Sequence, residues 1–390
     1  MKAVILAAGK GERLQPLTDY KPKAMLPICN KPLIDYQIEM LRNHGIDEIA
    51  VVVGYLEKKI REHLKDEVRF YRDKKIKGTA SAVYAAKDFI DDEFILLYGD
   101  LFIDGSISGI SETSEIAEIG EIVKTPNSMA VVKVKDVSRY GEVIFQDGRL
   151  TNIKEKEGKG EGFVNAGIYH FDPSIMDFIE RTEESERGEF ELTDSIKMFN
   201  SVRGVRVIPL NGYWNDIGYP WDFLDVNMYM LNKIGFSVGE NTEIWSSATI
   251  RKPAVIGSDC EIKNCVVEKS IIGDSCVVGE FSVVKRSVVM DNSNTPHLNY
   301  VADSVIAEGC NLGAGTKIAN LRFDESSIKM TVKGKRVDSG KRKLGAFIGY
   351  NVKTGINVSI YPGIKIGSDS WIEAEVLVKK DIERGSVARL

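Results

Sequence analysis

A chain of 390 residues exceeds the length over which one hydrophobic core keeps growing, so two domains are expected. Hydrophobic residues at 43% and charged residues at 28% exclude a disordered chain. The formal net charge of -5 supplies no global basic field, which argues against nucleic acid as a partner and requires any phosphate ligand to be held locally.

Met1 to Ala8 is a short apolar run that ends in glycine and does not read as a secretory h-region, and no run approaches a membrane span. The five cysteines are odd in number and lack CxxC spacing, which argues against a disulfide framework or a zinc site and for reduced packing residues in a cytoplasm. Ala3-Val-Ile-Leu-Ala7 reads as a buried strand, Pro32 to His44 as a helix, and Glu48 to Val53 and Phe94 to Tyr98 as further strands. Strands apolar at every position and separated by helices predict a mostly parallel sheet covered on both faces, with ligands at its carboxyl ends. A helical stretch from Pro220 to Leu231 closes this part, giving an expected first domain over 1–232.

The pattern then changes. Aliphatic residues recur every six positions at Val238, Ile244, Ile250, Ile256 and Ile262, again at Ile272, Val278 and Val284, then at Ile306, Leu312 and Ile318, and last at Ile360, Ile366, Ile372 and Val378. Small or aliphatic residues stand four further on, as at Thr242, Ala248, Cys260, Cys276 and Ser282. A fixed period of six predicts a hexapeptide β-helix over 237–390, in which three short strands make one triangular coil. A β-sandwich with coincidental spacing is the plainer alternative. Two stretches break the period, Met290 to Asp303 and Leu321 to Lys343, and are expected to be loops thrown off the coil.

Chemistry-bearing residues begin at Leu6-Ala-Ala-Gly-Lys-Gly-Glu-Arg13, where glycines after a strand let backbone N–H groups approach phosphate oxygens. Gly9-x-Gly11-x-Arg13-x-x-Pro16-x-Thr18, followed by Pro22-Lys23 and Pro27, resembles the signature of sugar-1-phosphate nucleotidylyltransferases. Later landmarks follow in order: Gly78-Thr79, Tyr98-Gly99-Asp100, Tyr140-Gly141, Glu155-Lys156, Val164-Asn165-Ala166-Gly167, Glu191-Leu192-Thr193-Asp194 and Trp214-x-Asp216-x-Gly218. The resemblance spans about residues 1–230.

The resemblance implies nucleotidyl transfer from a nucleoside triphosphate to a sugar 1-phosphate with release of pyrophosphate, a reaction served by charge neutralisation and positioning. Asp100 and Asp216 would hold Mg2+, a hard cation suited to oxygen ligands. Arg13 would grip the leaving pyrophosphate and Lys23 the phosphates at the reacting centre, with Ala8, Gly9, Gly11, Gly78 and Thr79 lining the nucleotide. Gly141, Glu155, Lys156 and Asn165 would take the sugar and its phosphate, although a Glu-Lys pair in a charged run also reads as a surface ion pair. Asp73-Lys-Lys-Ile-Lys77 lacks the glutamine that many relatives use to read a pyrimidine edge, so UTP and dTTP both stay open and a purine is not excluded.

In the second half, Pro296-His297-Leu-Asn-Tyr300-Val-Ala-Asp303 and Asn311-Leu-Gly-Ala314-Gly-Thr316 resemble the acetyltransferase half of bifunctional N-acetylglucosamine-1-phosphate uridylyltransferases, and the whole chain resembles their archaeal type. That resemblance implies a Rossmann-like nucleotidyltransferase domain followed by a left-handed parallel β-helix that assembles as a homotrimer. It makes His297 the general base for acetyl transfer from acetyl-CoA to an amino-sugar 1-phosphate, a task suited to imidazole. Lys285, Tyr300 and Lys343 would contact the sugar phosphate, Asn311 the amine, the Ala314 N–H the thioester oxygen, and Ala374 the acetyl-CoA. Bacterial members carry an Arg-Pro turn upstream of the lysine that Lys285 matches; this chain has none, which leaves Lys269 and Arg286 as alternative cations. A single-activity enzyme whose coil only assembles the protein is the competing expectation. A non-catalytic subunit is disfavoured by the presence of Arg13, Lys23, Asp100 and Asp216.

Overall fold

Lys2–Ala7 is apolar throughout its middle because both edges and both faces are covered. It pairs in parallel with Glu48–Val53 on one side and Phe94–Tyr98 on the other. The computed structural model describes residues 1–75, 77–104, 119–155 and 158–390. The strands form a nine-stranded sheet in the order Arg69–Arg72, Glu48–Val53, Lys2–Ala7, Phe94–Tyr98, Gly162–Phe171, Ser128–Val134, Arg206–Pro209, Arg149–Glu155 and Gly141–Gln146. The expected helix is Leu33–Asn43, and it buries Ile34, Ile38 and Leu41 at helical spacing.

The sheet is parallel across its first four strands and mixed beyond them. Gly162–Phe171 runs antiparallel to Phe94–Tyr98, and Gly141–Gln146 and Arg149–Glu155 form a hairpin. Asp147 and Gly148 make its two-residue turn with φ of 50° and 69°, the left-handed geometry that matches strand twist and favours an Asp-Gly pair. The expectation of a mostly parallel sheet overlooked that dipeptide.

Packing divides the chain into two units. One comprises Met1–Lys10, Pro22–Met25 and Leu33–Asp216, and the other Gly11–Lys21, Leu26–Pro32 and Ile217–Leu390. The helix Pro220–Ile234 and two short stretches of the signature segment therefore pack with the coil.

The coil is a left-handed parallel β-helix of three sheets with seven, eight and seven strands. Its interior is a ladder of aliphatic residues such as Ile256, Ile262, Val267, Ile272, Val278 and Val284. At the corners, buried hydroxyls replace strand pairing: Ser270 Oγ accepts the Ser287 N–H at 3.2 Å, Ser287 Oγ that of Ser304 at 3.1 Å, and Ser304 Oγ that of Ala346 at 3.1 Å. A buried N–H without such a partner would be costly, which accounts for small polar residues at that step of the repeat.

One sheet differs from the other two. Its outward residues Val255, Ile271, Val288, Val305 and Phe347 are as buried as the inward ones. Within the same unit, the helix Pro220–Ile234 packs against its strand Ala254–Ile256, Asn30 Nδ2 donates to the Ile272 carbonyl at 2.7 Å, and Tyr350 Oη donates to the Leu17 carbonyl at 2.7 Å.

Of the two expected interruptions, only the second leaves the coil. Met290 to Asp303 continues it through the strands Asn294–His297 and Tyr300–Ala302, with Thr295 at the inward position opposite Val278. A threonine in an aliphatic place hid that coil. Within Leu321 to Lys343 lies a hairpin, Lys329–Val332 with Lys335–Asp338. All five cysteines are free and buried, and burial pushes the Cys29 and Cys310 thiols up to about 12, which suits packing rather than reactivity. Among the described residues no helix is long and apolar enough to cross a membrane.

Candidate functional site

In the first unit, Asp100 leaves the end of Phe94–Tyr98 on a turn held from three directions. The Gly99 N–H donates to the Leu6 carbonyl at 2.9 Å, and a Cβ at Gly99 would stand 2.7 Å from that oxygen, so no side chain fits. Gln37, buried on Leu33–Asn43, donates through Nε2 to the carbonyls of Tyr98 at 2.9 Å and Leu101 at 2.8 Å. Asp216 follows the strand Tyr213–Asn215, which pairs with Phe102–Asp104 and so brings the two aspartates into one region.

Lys23 joins them. Its Nζ donates to Asp100 Oδ2 at 2.6 Å and to the Asp216 carbonyl at 3.5 Å. Asp100 Oδ1 is buried with no hydrogen-bond partner. A buried, unsatisfied carboxylate oxygen fits a cation ligand. Among the described residues no group of three His, Cys, Asp or Glu could enclose a metal. The donor set suits Mg2+, which keeps waters and takes phosphate oxygens beside one or two carboxylates.

The residues of this unit expected to take the nucleotide and the sugar fall into two linked groups. Gly78 has φ of 100° and its Cβ would lie 2.5 Å from the Phe190 carbonyl, so only glycine fits there. Thr79 Oγ1 accepts the Leu192 N–H at 2.9 Å, tying this turn to the Glu191-Leu192-Thr193-Asp194 landmark. Gly141 pairs with Glu155, and a Cβ at Gly141 would stand 2.8 Å from Glu155 Oε1. Arg187 reaches Glu191 at 2.9 Å and Glu155 at 3.7 Å, while burial raises the Glu191 carboxyl. Asn165 Oδ1 accepts the Gly167 N–H at 3.0 Å, and its Nδ2 donates to Tyr169 Oη at 2.6 Å. Tyr169 Oη in turn donates to Tyr98 Oη at 3.0 Å, and burial pushes both phenols above their ordinary range.

Ala8 is buried, and its carbonyl accepts the Tyr55 N–H; a Cβ at Gly9 would meet nothing within 4 Å. Lys156 lies outside the described residues. Gly11 and Arg13 belong to the second unit, where Gly11 is left-handed with φ of 63° and the Arg13 guanidinium lies 5.2 Å from the Tyr219 ring centre. Tyr219 stacks on Trp221 with centroids 4.7 Å apart. Gln37, Tyr169, Arg187 and Tyr219 were not anticipated. Arg187 stands four residues before Glu191 next to a known landmark, which was the available signal.

On the coil, His297 sits opposite Glu280 in register and its Nδ1 lies 2.9 Å from Glu280 Oε2. The Glu280 carboxyl is held below its usual range by its own backbone N–H and by His297. A carboxylate on Nδ1 fixes the tautomer that leaves Nε2 as proton acceptor. Successive coils then stack one corner column: the Leu298 N–H donates to the Glu280 carbonyl, Gly315 to His297, Asn357 to Ala314 and Glu375 to Ile356. Glu280, His297, Ala314, Ile356 and Ala374 thereby share a corner.

Tyr300 and Asn311 are exposed, and Lys317, paired in register with Tyr300, donates to the Gly315 carbonyl at 3.0 Å. Lys285 is engaged by Glu268 at 2.7 Å, which also binds Arg251 at 2.9 Å. Arg286 is paired with Asp303 at 2.9 Å, whereas Lys269 is exposed. Lys343 is exposed where the insertion rejoins the coil, bridged to Leu321.

A nucleotidyl transferase family model matches residues 2–233, and a model described as the GMPPB C-terminal domain matches residues 244–344. The chain belongs to the nucleotidyl transferase family. Along its full length it is 43% identical to the bifunctional sugar-1-phosphate nucleotidylyltransferase/acetyltransferase of Sulfurisphaera tokodaii, covering 99% of each chain. It is 40% identical to the bifunctional protein GlmU of Methanocaldococcus jannaschii, over 98% of this chain and 96% of the relative. It is also 30% identical, over 80% of its length and 94% of the relative, to the low-salt glycan biosynthesis nucleotidyltransferase Agl11 of Haloferax volcanii.

Proposed function

We propose that the chain is a two-activity enzyme. The coil transfers acetyl from acetyl-CoA to glucosamine 1-phosphate or another amino-sugar 1-phosphate. The nucleotidyltransferase half then joins a nucleotidyl group from UTP or dTTP to N-acetylglucosamine 1-phosphate or glucose 1-phosphate and releases pyrophosphate. The full-length likeness to bifunctional relatives favours this reading over a coil that only assembles the protein.

For acetyl transfer the carrying observation is the Glu280–His297 pair at 2.9 Å on the column that also bears Ala314 and Ala374. The substrate amine is mostly protonated at neutral pH. The amine attacks as its free base: His297 Nε2 takes the proton that the nitrogen sheds as it bonds to the thioester carbonyl, the Ala314 N–H stabilises the oxyanion, and the C–S bond breaks with that proton passing to sulfur, so that coenzyme A leaves as the thiol. Asn311 holds the amine, and Lys285, Tyr300 and Lys343 the phosphate.

For nucleotidyl transfer it is Lys23 between Asp100 and Asp216. Bound there, Mg2+ would neutralise phosphate charge. Lys23 orients the reacting phosphates, Arg13 takes the pyrophosphate, and Glu155, Gly141 and Asn165 position the sugar so that its phosphate oxygen faces the α-phosphorus. We further propose a homotrimer formed through the coil, whose outward Trp371 and Leu377 are exposed.

A matrix of UTP, dTTP, ATP and GTP against glucose, glucosamine and N-acetylglucosamine 1-phosphates, assayed for pyrophosphate, tests the first activity. Free thiol released from acetyl-CoA tests the second. Pyrophosphate release without thiol release from any amino-sugar 1-phosphate would reduce the protein to its nucleotidyl transfer alone, and light scattering checks the trimer.

A further inference from the structure

The segment Gly11–Lys21, which carries Arg13, packs with the coil. Its attachment is distributed along its length. Glu12 pairs with Lys333 at 2.7 Å, a residue on the turn of the inserted hairpin. The Leu17 carbonyl accepts from Tyr350 Oη at 2.7 Å, Asp19 Oδ2 accepts from Ser368 Oγ at 2.7 Å, and Tyr20 Oη donates to Asp369 Oδ2 at 2.6 Å. Lys21 pairs with Glu308, and the Tyr20 ring meets that of Tyr350 edge to face at 5.4 Å. Leu14, Leu17 and Thr18 are buried, and a Cβ at Gly349 would come within 2.9 Å of the Pro16 Cβ, so the coil surface is shaped to this segment.

We infer that Tyr350, Ser368 and Asp369 are positioning residues for nucleotidyl transfer, acting through the Arg13 segment, so that the coil serves both reactions. This rests on the role of Arg13 proposed above. A segment without secondary structure beyond one turn has no rigidity of its own; its aim is set by what it is fastened to. None of the three belongs to the corner column proposed for acetyl transfer. That separation supplies the control, since damage to the coil as a whole would lower both activities together.

In the full-length protein, Tyr350→Phe removes one hydroxyl without changing shape, and Tyr350→Phe with Ser368→Ala removes two fastenings. The expected result is a KM for the nucleoside triphosphate raised between about tenfold and a hundredfold in the double variant, with KM for the sugar 1-phosphate and the rate of acetyl transfer unchanged. Trypsin should also cut after Arg13 faster than in the parent. Unchanged triphosphate KM and cleavage rate in both variants would overturn the inference. So would a loss shared equally by both activities with a lowered melting temperature. If the parent enzyme shows no nucleotidyl transfer, the functional reading fails, while the trypsin comparison still decides whether the coil holds the segment.

Discussion

Lys23 meets Asp100 through one carboxylate oxygen and leaves the other buried and unsatisfied. Such an arrangement is poor for stability and fits the metal site proposed above, in which the missing partner would arrive with the substrates. Asp100→Ala is therefore expected to cut pyrophosphate release by about 10²- to 10³-fold, as removal of a transition-state charge partner does. Its circular dichroism and acetyl transfer should match the parent. Retention of near-parental turnover with Mg2+ would remove Asp100 from the metal site. Asp100 and Asp216 were readable in the sequence because each sits in a short glycine-bearing motif, and at Asp100 that glycine is sterically required, since a Cβ at Gly99 would meet the Leu6 carbonyl. Gln37 was not. It lies mid-helix in a stretch that reads as amphipathic surface, and only the fold reveals that its amide spans the carbonyls on both sides of Asp100. Tyr169 escaped for a similar reason, since a tyrosine in a buried strand reads as core until its hydroxyl is found on Asn165.

The hydroxyl ladder Ser270, Ser287 and Ser304 closes one corner of the coil, and each rung accepts the N–H of the next residue in the column. Ser287→Ala would leave the buried Ser304 N–H without its acceptor at that rung, a loss expected to cost about 1–3 kcal/mol. Equilibrium denaturation measures it; a change within a few tenths of a kcal/mol would show that water or relaxation replaces the serine. The period of six made the coil readable, yet it describes only residues that point inward. The covering of one face was also written in the sequence, in the apolar doublets Val255-Ile256, Ile271-Ile272, Val288-Val289, Val305-Ile306 and Phe347-Ile348. Elsewhere the outward member is more often polar, as in Glu243-Ile244, Glu261-Ile262 and Asn311-Leu312. Five such doublets on consecutive strands of one sheet, where the other sheets carry them only intermittently, say that something lies over it. What lies there was not readable, because the signature segment Gly11–Lys21 carries its own motif and that motif points to phosphate chemistry.

At the scale of the whole molecule the two proposed reactions are consecutive, since the acetylated sugar 1-phosphate made by the first is the acceptor in the second. Their chemical groups are disjoint: Lys23, Asp100 and Asp216 on one side, His297 with Glu280 on the other. His297→Ala should lower acetyl transfer by about 10²- to 10⁴-fold, the usual cost of a positioned base, and leave nucleotidyl transfer to N-acetylglucosamine 1-phosphate intact. Asp100→Ala should do the reverse. Neither variant alone would carry glucosamine 1-phosphate, acetyl-CoA and UTP through to the nucleotide sugar. An equimolar mixture should, after a lag during which the acetylated intermediate accumulates in solution, and the lag should shorten as total protein is raised. The intermediate is a small dianion that exchanges by diffusion, so nothing in disjoint machinery demands that one molecule perform both steps. A mixture that stops at about one acetylated sugar 1-phosphate per Asp100→Ala site and makes no nucleotide sugar, while the His297→Ala protein still uses added N-acetylglucosamine 1-phosphate, would instead mean that the intermediate is held and not released to solution.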